Sequence, residues 1–137
     1  MHYPIAIEVG DADHAHSVAI PDLPGCFSAG DTFEEAIANA REAIEDHLES
    51  LADHRDPIPS ASAIERHLAN PDYVGWVWAA VEIDMTPYLG TSHKVNVTLP
   101  DWLIKRIDSA VARHGEFESR SGFLARAALH ELERSAG

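Results

Sequence analysis

Three polar residues that can reach the edges of nucleic-acid bases stand near the C-terminus. Lys94, Asn96 and Thr98 occupy every second position, with valine or leucine between them, before a proline ends the run. Because successive side chains of a β-strand point to opposite sides, this pattern predicts a strand with one apolar and one polar face. Lysine can donate to guanine, asparagine can form two hydrogen bonds with adenine, and threonine offers a hydroxyl or a methyl group. An ordinary exposed strand face shows the same alternation, so the strand alone leaves both interpretations open.

Other residues with reactive or metal-binding side chains lack partners at the spacing that such chemistry requires. Asp11, Asp13, His14 and His16 crowd one polar turn, but no second group of ligands with clear spacing accompanies them. Cys26 is the only cysteine, and no histidine or basic residue that could activate a thiolate neighbours it in the sequence. We therefore predict no metal site, no cofactor and no catalytic residue.

The first part of the chain is predicted to contain three short strands and one long helix. Strand patterns cover residues 3–9, 16–24 and 25–31, and the turn residues between them favour an antiparallel meander. Thr32 and Glu35 fit a capping box at the start of a helix that fades near residues 53–55. Spacings of three and four predict one buried stripe on this helix, made of Ile37, Ala40, Ile44, Leu48 and Leu51.

Two further elements are predicted before residue 85. Residues 60–70 are typical of a second, shorter helix, with Ser60 or Ser62 as its cap and Pro71 beyond its end. Residues 73–84 are apolar on both alternating faces, which predicts a strand that is central or covered on both sides. Residues 1–84 are thus predicted to form an α+β domain with an antiparallel sheet, one long helix and one short helix.

The remaining residues are predicted to form a linker and a second domain. Residues 85–92 contain proline, glycine, threonine and serine without periodicity, and residues 93–137 follow as one strand and two helices. The first of these helices is predicted to end at His114, with Gly115 as the residue after the cap. Because 45 residues with a single strand cannot bury its apolar face alone, we predict a homodimer or a larger even-numbered assembly.

Charge divides the chain at the same place. Residues 1–90 hold 17 Asp and Glu but 3 Lys and Arg, a net charge of −14, whereas residues 91–137 hold 6 and 7. An acidic domain repels phosphate and suits a basic partner. No apolar run approaches the ~18–20 residues of a membrane span, and the N-terminus lacks the basic segment of a secretory signal. Together with the single cysteine, this predicts a cytoplasmic protein without a membrane partner.

The second domain resembles the ribbon-helix-helix family of DNA-binding proteins, on the residues VNVTLPDWLIKRID and FESRSGFLARAALHEL. The resemblance implies that two chains pair their strands into a ribbon that enters the major groove, where Lys94, Asn96 and Thr98 would read bases. It also implies that the start of the second helix binds a DNA phosphate, a position that falls here on Ser119, Arg120 and Ser121. Gly122 departs from the family, whose members often have an acidic residue there.

The first domain resembles the HicB antitoxin family on residues 22–51, DLPGCFSAGDTFEEAIANAREAIEDHLESL. The resemblance implies an N-terminal fold like a truncated ribonuclease H core, and a small basic ribonuclease toxin of the HicA type as partner. The toxin-binding residues would come from the sheet and its loops, and we predict Asp22, Leu23, Phe27 and Asp31 for this role.

Three functions follow from these patterns. The first is an antitoxin that neutralises a HicA-type toxin and binds operator DNA as a dimer to repress its own operon. The alternative is a stand-alone ribbon-helix-helix transcriptional regulator whose acidic domain senses a ligand. An enzyme is the least supported, because a magnesium-dependent nuclease needs several converging carboxylates, and the predicted strands offer only Glu8, Glu82 and Asp84 near their ends.

Overall fold

The chain divides after residue 90. The computed structural model describes residues 1–136, so Gly137, the last residue of the predicted second domain, lies outside it, as does the side chain of Ala136. Residues 1–90 form the first unit and residues 91–135 the second. Met85 and Tyr88, both in the predicted linker, pack against the core of the first unit.

Four strands form one antiparallel sheet in the first unit. They are β1 (His2–Glu8), β2 (His16–Ala19), β3 (Phe27–Gly30) and β4 (Val77–Glu82), in the order β3-β2-β1-β4. The predicted meander of the first three strands is confirmed. Of the two alternatives predicted for β4, the central position is wrong, because β4 lies at the edge beside β1. Cover on both faces is found at Val81, which packs in the core, and at Trp78, which aromatic rings cover on the opposite face.

The central strand β1 is buried on both faces, and it contains a proline. Met1 and Ile83 exchange two backbone hydrogen bonds of 3.1 and 2.8 Å, which fixes the alternation of the antiparallel ladder between β1 and β4. Hydrogen-bonded pairs occur at every second residue from Met1, so the pair of Pro4 and Ala80 is not hydrogen-bonded. The backbone nitrogen of Pro4 therefore points away from β4, toward the side on which β2 has already ended at Ala19. Its missing N–H removes no bond from the sheet.

One long helix, α1 (Phe33–Asp53), covers the inner face of the sheet. The side chain of Thr32 accepts a hydrogen bond of 3.1 Å from the backbone N–H of Glu35, which confirms the predicted cap. Of the predicted stripe, Ala40, Ile44 and Leu48 are buried, and Ile37 and Leu51 are partly buried. Gly30 lets the end of β3 approach the first turn, since an added Cβ would lie 2.3 Å from the Ala36 nitrogen.

Polar side chains of α1 reach both edges of the sheet. The amide of Asn39 donates a hydrogen bond of 2.8 Å to the backbone carbonyl of Ala29 on β3. The guanidinium of Arg41 donates to the carbonyl of Glu82 on β4. Both carbonyls face away from the neighbouring strand, so α1 satisfies acceptors that would otherwise be open to pairing with another chain.

The predicted second helix is absent from the described residues 60–70. A 3₁₀ turn, Ile64–Arg66, takes its place, and another, Pro71–Tyr73, follows it. The physical reason lies in Ser62, a predicted cap, whose hydroxyl bonds Asp22 and His67 instead of the start of a helix. The side chain therefore fixes the segment to the sheet rather than to its own backbone.

The second unit contains two helices, α2 (Asp101–Arg113) and α3 (Arg120–Ala136), as predicted. Residues 93–99 are not paired into a strand within the described chain. Gly115 opens a 3₁₀ turn, Gly115–Phe117, and does not have a positive φ, so its predicted role after the helix cap is wrong. The helix ends because His114 leaves the helical region, with φ −122° and ψ 98°.

Candidate functional site

Asp22, one of the predicted toxin contacts, is engaged inside the first unit. Its carboxylate accepts hydrogen bonds of 2.7 Å from both the backbone N–H and the hydroxyl of Ser62, and it lies 3.5 Å from Nε2 of His67. Only 11% of the Asp22 side chain is exposed. Asp22 thus joins the loop between β2 and β3 to the segment of the two 3₁₀ turns, and its oxygens face inward.

Ser62, His67 and Asp22 are the residue types of a hydrolase triad, but their geometry differs from one. In a triad, the carboxylate orients one ring nitrogen of the histidine while the other nitrogen receives the serine proton. Here Nε2 of His67 faces both Ser62 Oγ, at 2.7 Å, and Asp22 Oδ1, at 3.5 Å. The arrangement is therefore suited to holding two segments together.

The other three predicted toxin contacts divide between the core and the surface. Leu23 is completely buried in the core cluster, so its side chain supports the loop and does not face a partner. This corrects its predicted role, because the turn places Leu23 under the sheet rather than at its rim. Phe27 is 69% exposed on β3, and Asp31 is exposed just beyond the end of that strand.

Aromatic rings cover one side of the outer face of the sheet, which is the face opposite α1. His67 stacks on Trp78 with 5.7 Å between the ring centroids. Tyr73 contacts Trp78 and Trp76 edge to face at 5.5 and 5.2 Å. The rings of Trp76 and Trp78 are thus engaged in contacts within the first unit.

The acidic residues of α1 create a negative field that neighbouring groups experience. Burial raises the pKa of the Tyr88 hydroxyl, and the charges of Glu45, Glu49 and Asp46 raise it further, as does Asp84. Each of these carboxylates disfavours a further negative charge nearby, so they act on the Tyr88 hydroxyl in the same direction as burial. A basic partner would be attracted to such a surface.

In the second unit, the three predicted base-reading residues are all accessible. Lys94, Asn96 and Thr98 are exposed, as expected for residues that contact DNA. The apolar residues between them are exposed as well, Val95 at 75% and Val97 at 63%. Apolar side chains with this degree of exposure at alternating positions indicate a face that the described residues of a single chain do not cover.

Two of the three predicted phosphate-binding residues at the start of α3, Arg120 and Ser119, already have partners. Arg120 donates two hydrogen bonds, of 2.9 and 2.7 Å, to the carboxylate of Asp108 on α2. These bonds lower the pKa of Asp108 and raise that of Arg120. The hydroxyl of Ser119 accepts a bond of 3.0 Å from the N–H of Gly122, and Ser121 is exposed.

Gly122, the departure from the ribbon-helix-helix pattern, has a structural reason. A Cβ at this position would lie 2.2 Å from the backbone carbonyl oxygen of Phe117. The chain reaches this close approach through Glu118, whose φ is +58°. A larger residue would clash with the backbone of the turn before α3, so the start of the helix depends on glycine here.

Two further findings concern the described residues. Among residues 1–136, no group of three or more histidine, cysteine, aspartate or glutamate side chains is arranged to hold a metal ion. The polar turn that contains Asp11 instead forms internal bonds, with the Asp11 carboxylate 2.9 Å from the His14 ring and 2.8 Å from the N–H of Asp13. No helix in the same range is long and apolar enough to cross a membrane.

Sequence reasoning missed two sets of residues. Ser62 and His67 stand in a segment with a helical pattern, and no signal in the sequence indicates that they meet Asp22, 40 positions before Ser62. Asp108 and Arg120 are opposite charges on consecutive helices, which is a signal that could have identified their ion pair.

The chain is similar to known proteins over most of its length. A family model described as "HicB_like antitoxin of bacterial toxin-antitoxin system" matches residues 3–128. An uncharacterized 14.9 kDa protein from the rep-hol intergenic region of Haemophilus phage HP1 is 40% identical, over 96% of this chain and 98% of its own. The crystal structure of the Burkholderia pseudomallei antitoxin HicB is 40% identical over 96% of this chain and 98% of that one, with a TM-score of 0.73. A chain from the HicA3 and HicB3 toxin-antitoxin complex is 36% identical over 61% of this chain and 99% of that one, with a TM-score of 0.54.

Proposed function

Since this chain belongs to the HicB-like antitoxin family of bacterial toxin-antitoxin systems, we propose that it binds and neutralises a small basic ribonuclease of the HicA type and represses its own operon. The observation that carries the first half is the acidity of the first unit, with a net charge of −14 over residues 1–90. A ribonuclease must be basic to hold RNA, so the two fields attract. The similarity to a chain of the HicA3 and HicB3 complex supports the same pairing.

Inhibition follows from competition for one surface. A toxin that binds RNA phosphate through lysine and arginine would bind the carboxylates of residues 1–90 through the same groups. The bulk of the sheet over the toxin's active site would then exclude substrate. Of the predicted contacts, Phe27 and Asp31 are exposed and remain in the proposal, whereas Asp22 and Leu23 act inside the unit.

The test is an RNA-cleavage assay with the full chain and the small basic protein encoded by the adjacent gene. We expect stoichiometric inhibition, and association rates that fall steeply as salt rises because the attraction is screened. A chain that binds DNA but neither binds nor inhibits this protein at any salt concentration would contradict the antitoxin function and favour the alternative, a ligand-sensing regulator.

The second half of the proposal assigns operator binding to residues 93–137, as a dimer of ribbon-helix-helix type. The exposed apolar face with Val95 and Val97 supports it, because two such faces pairing as an antiparallel ribbon would bury both. Lys94, Asn96 and Thr98 would then line the opposite face and read bases in the major groove. Arg120 and the exposed hydroxyl of Ser121 would contact phosphate at the start of α3, while Ser119 caps the helix.

Two variants separate dimerisation from base reading. Val97→Asp introduces a charge on a side chain that is exposed in the single chain, so it harms folding only if a second copy covers it. We expect this variant to lose the dimer in sedimentation and to lose DNA binding. Asn96→Ala should keep the dimer but weaken binding to the DNA upstream of the gene by about 1–3 kcal/mol, with random duplex unaffected. A dimeric Val97→Asp, or an Asn96→Ala that discriminates like the wild type, would refute the respective assignment.

A further inference from the structure

The strand register brings residues from separate strands together on the outer face of the sheet. Two rows of side chains cross it. The first row consists of Phe27, Ala19, Ala6 and Trp78, which are paired across all four strands. The second row consists of Ala29, Ser17 and Glu8 on the first three strands.

One half of this outer face is covered by the protein itself. Pro4, Ala6 and Ala19 point away from α1, yet all three are buried. His67 and Tyr73 pack on Trp78 of the same face, and the bonds of Asp22 hold their segment in place. Residues 62–76 therefore cover the β1 and β4 side of the face around Trp78, whereas Ala80 of β4 stays exposed.

The other half is open. Ala29, Ser17 and Glu8 are all exposed, and Phe27 is exposed over 69% of its surface. Asp31, also exposed, follows the end of β3 beside them. We call these five residues the open platform. It combines one large aromatic side chain with two small ones and ends in two carboxylates.

The composition of the open platform suits protein binding. Alanine and serine let a partner's backbone approach the sheet closely, and an exposed phenylalanine can fill a pocket, as anchors at the centres of interfaces do. Carboxylates at the margin, Glu8 and Asp31, would pair with basic side chains at the rim. An isolated exposed phenylalanine has little meaning by itself, but here the register surrounds it with a flat, accessible surface.

Charge identifies the kind of occupant. The sequence contains no lysine or arginine before Arg41, so none stands on β1, β2 or β3. Arg41 itself is bonded to the carbonyl of Glu82 at the opposite edge of the sheet. A second copy of this acidic unit would be repelled from the open platform, and nucleic acid would be repelled more strongly, whereas a basic protein would be attracted.

We propose that the open platform, Phe27, Ala29, Ser17, Glu8 and Asp31, is the surface that docks the basic toxin, with Phe27 as its central anchor. The inference rests on the proposed antitoxin function and adds the face on which the toxin binds. It places the toxin against the β3 side of the sheet. The acidic face of α1 contributes to attraction at a distance but does not form the contact.

The experiment measures the affinity of full-length variants for the purified HicA-type toxin of the adjacent gene by calorimetry, with RNA cleavage as a second readout. We expect Phe27→Ala to weaken binding by about thirtyfold, the effect of losing an anchor of roughly 2 kcal/mol. Ala29→Arg should weaken it further, through bulk and repulsion of a basic partner.

Matched controls stand on the helix side of the sheet. Glu42→Lys on α1 makes the same charge change as Glu8→Lys, and Leu89→Ala removes another exposed apolar side chain. We expect Glu8→Lys to weaken binding at least tenfold more than Glu42→Lys, and Leu89→Ala to leave affinity unchanged. Circular dichroism checks that each variant is folded, as expected for changes at exposed positions.

The outcomes are distinguishable. If the wild type binds and the platform variants bind equally well, the docking face is wrong while the antitoxin function stands. If the wild type does not bind, the function fails and the platform fails with it. If Phe27→Ala changes the oligomeric state of the free chain and not its toxin affinity, the occupant is a second copy and the proposal is overturned.

Discussion

The bond network of Asp22 provides the sharpest test of how the outer face is built. In Asp22→Ala, the backbone N–H and the hydroxyl of Ser62 lose their acceptor, and the His67 ring loses the carboxylate at 3.5 Å. The segment that covers one half of the sheet would then be held mainly by ring contacts and by the hydrogen bond of 2.7 Å from the Tyr3 hydroxyl to the Pro59 carbonyl.

The size of the effect follows from the bonds that are lost. A hydrogen bond to a charged group contributes about 1.5–3 kcal/mol. Asp22 accepts two such bonds from Ser62 at 2.7 Å and retains slight contact with solvent, so we use the lower value for each. The free energy of unfolding should therefore fall by about 3 kcal/mol in Asp22→Ala, which corresponds to a decrease in Tm of about 12–24 °C for a unit of this size.

Urea denaturation, followed by tryptophan fluorescence, measures this change, because Trp76 lies in the segment and Trp78 lies beneath it. Asp22→Asn, which keeps one oxygen acceptor, should lose only about half as much stability. Asp72→Asn removes the same charge from an exposed residue and serves as the control, with an expected change within about 0.5 kcal/mol. The folded Asp22→Asn variant should still inhibit the toxin, since the carboxylate acts within the unit.

A double-mutant cycle decides whether the reasoning is correct. Asp22→Ala and Ser62→Ala remove the same hydroxyl–carboxylate bond, so their combined effect should be smaller than the sum of the single effects. If the two effects add within about 0.3 kcal/mol, or if Asp22→Ala alone costs less than about 1 kcal/mol, the network does not hold the segment.

Three further outcomes are expected. Leu48→Ala, at a completely buried position of α1, should lower the free energy of unfolding by about 2–5 kcal/mol in urea denaturation, and a change under about 1 kcal/mol would contradict its place in the core. Burial raises the pKa of the Cys26 thiol, so the thiol should stay protonated at pH 8. It should therefore react with a thiol reagent far more slowly in the native protein than in urea, and equal rates would refute this. The bonds from Arg120 lower the pKa of Asp108, so the pair's contribution to stability is present at neutral pH and is lost as pH falls through that lowered pKa. Carbon-13 NMR should show the titration midpoint of Asp108 below that of an ordinary aspartate. If this midpoint does not rise in Arg120→Ala, the ion pair is disproved.

The sequence by itself determined the features that depend on neighbouring residues. The helix α1, its cap at Thr32 and its buried stripe follow from a local hydrogen bond and a period of 3.6 residues, both properties of a continuous segment. The resemblance to HicB antitoxins was also readable, because it lies in a continuous run of residues, 22–51.

Only the tertiary structure decided features that join distant parts of the chain. The apolar residues of β4 predict a strand that is central or covered on both sides, and its place at the edge depends on pairing with β1, 70 to 80 positions earlier. Asp22 bonds Ser62 and Leu23 enters the core from one loop, and Phe27 stays exposed at the start of the next strand, although no local pattern in the sequence separates these three roles. The open half of the outer face exists because one distant segment covers the other half, and long-range register, unlike periodicity, leaves no local pattern in the sequence.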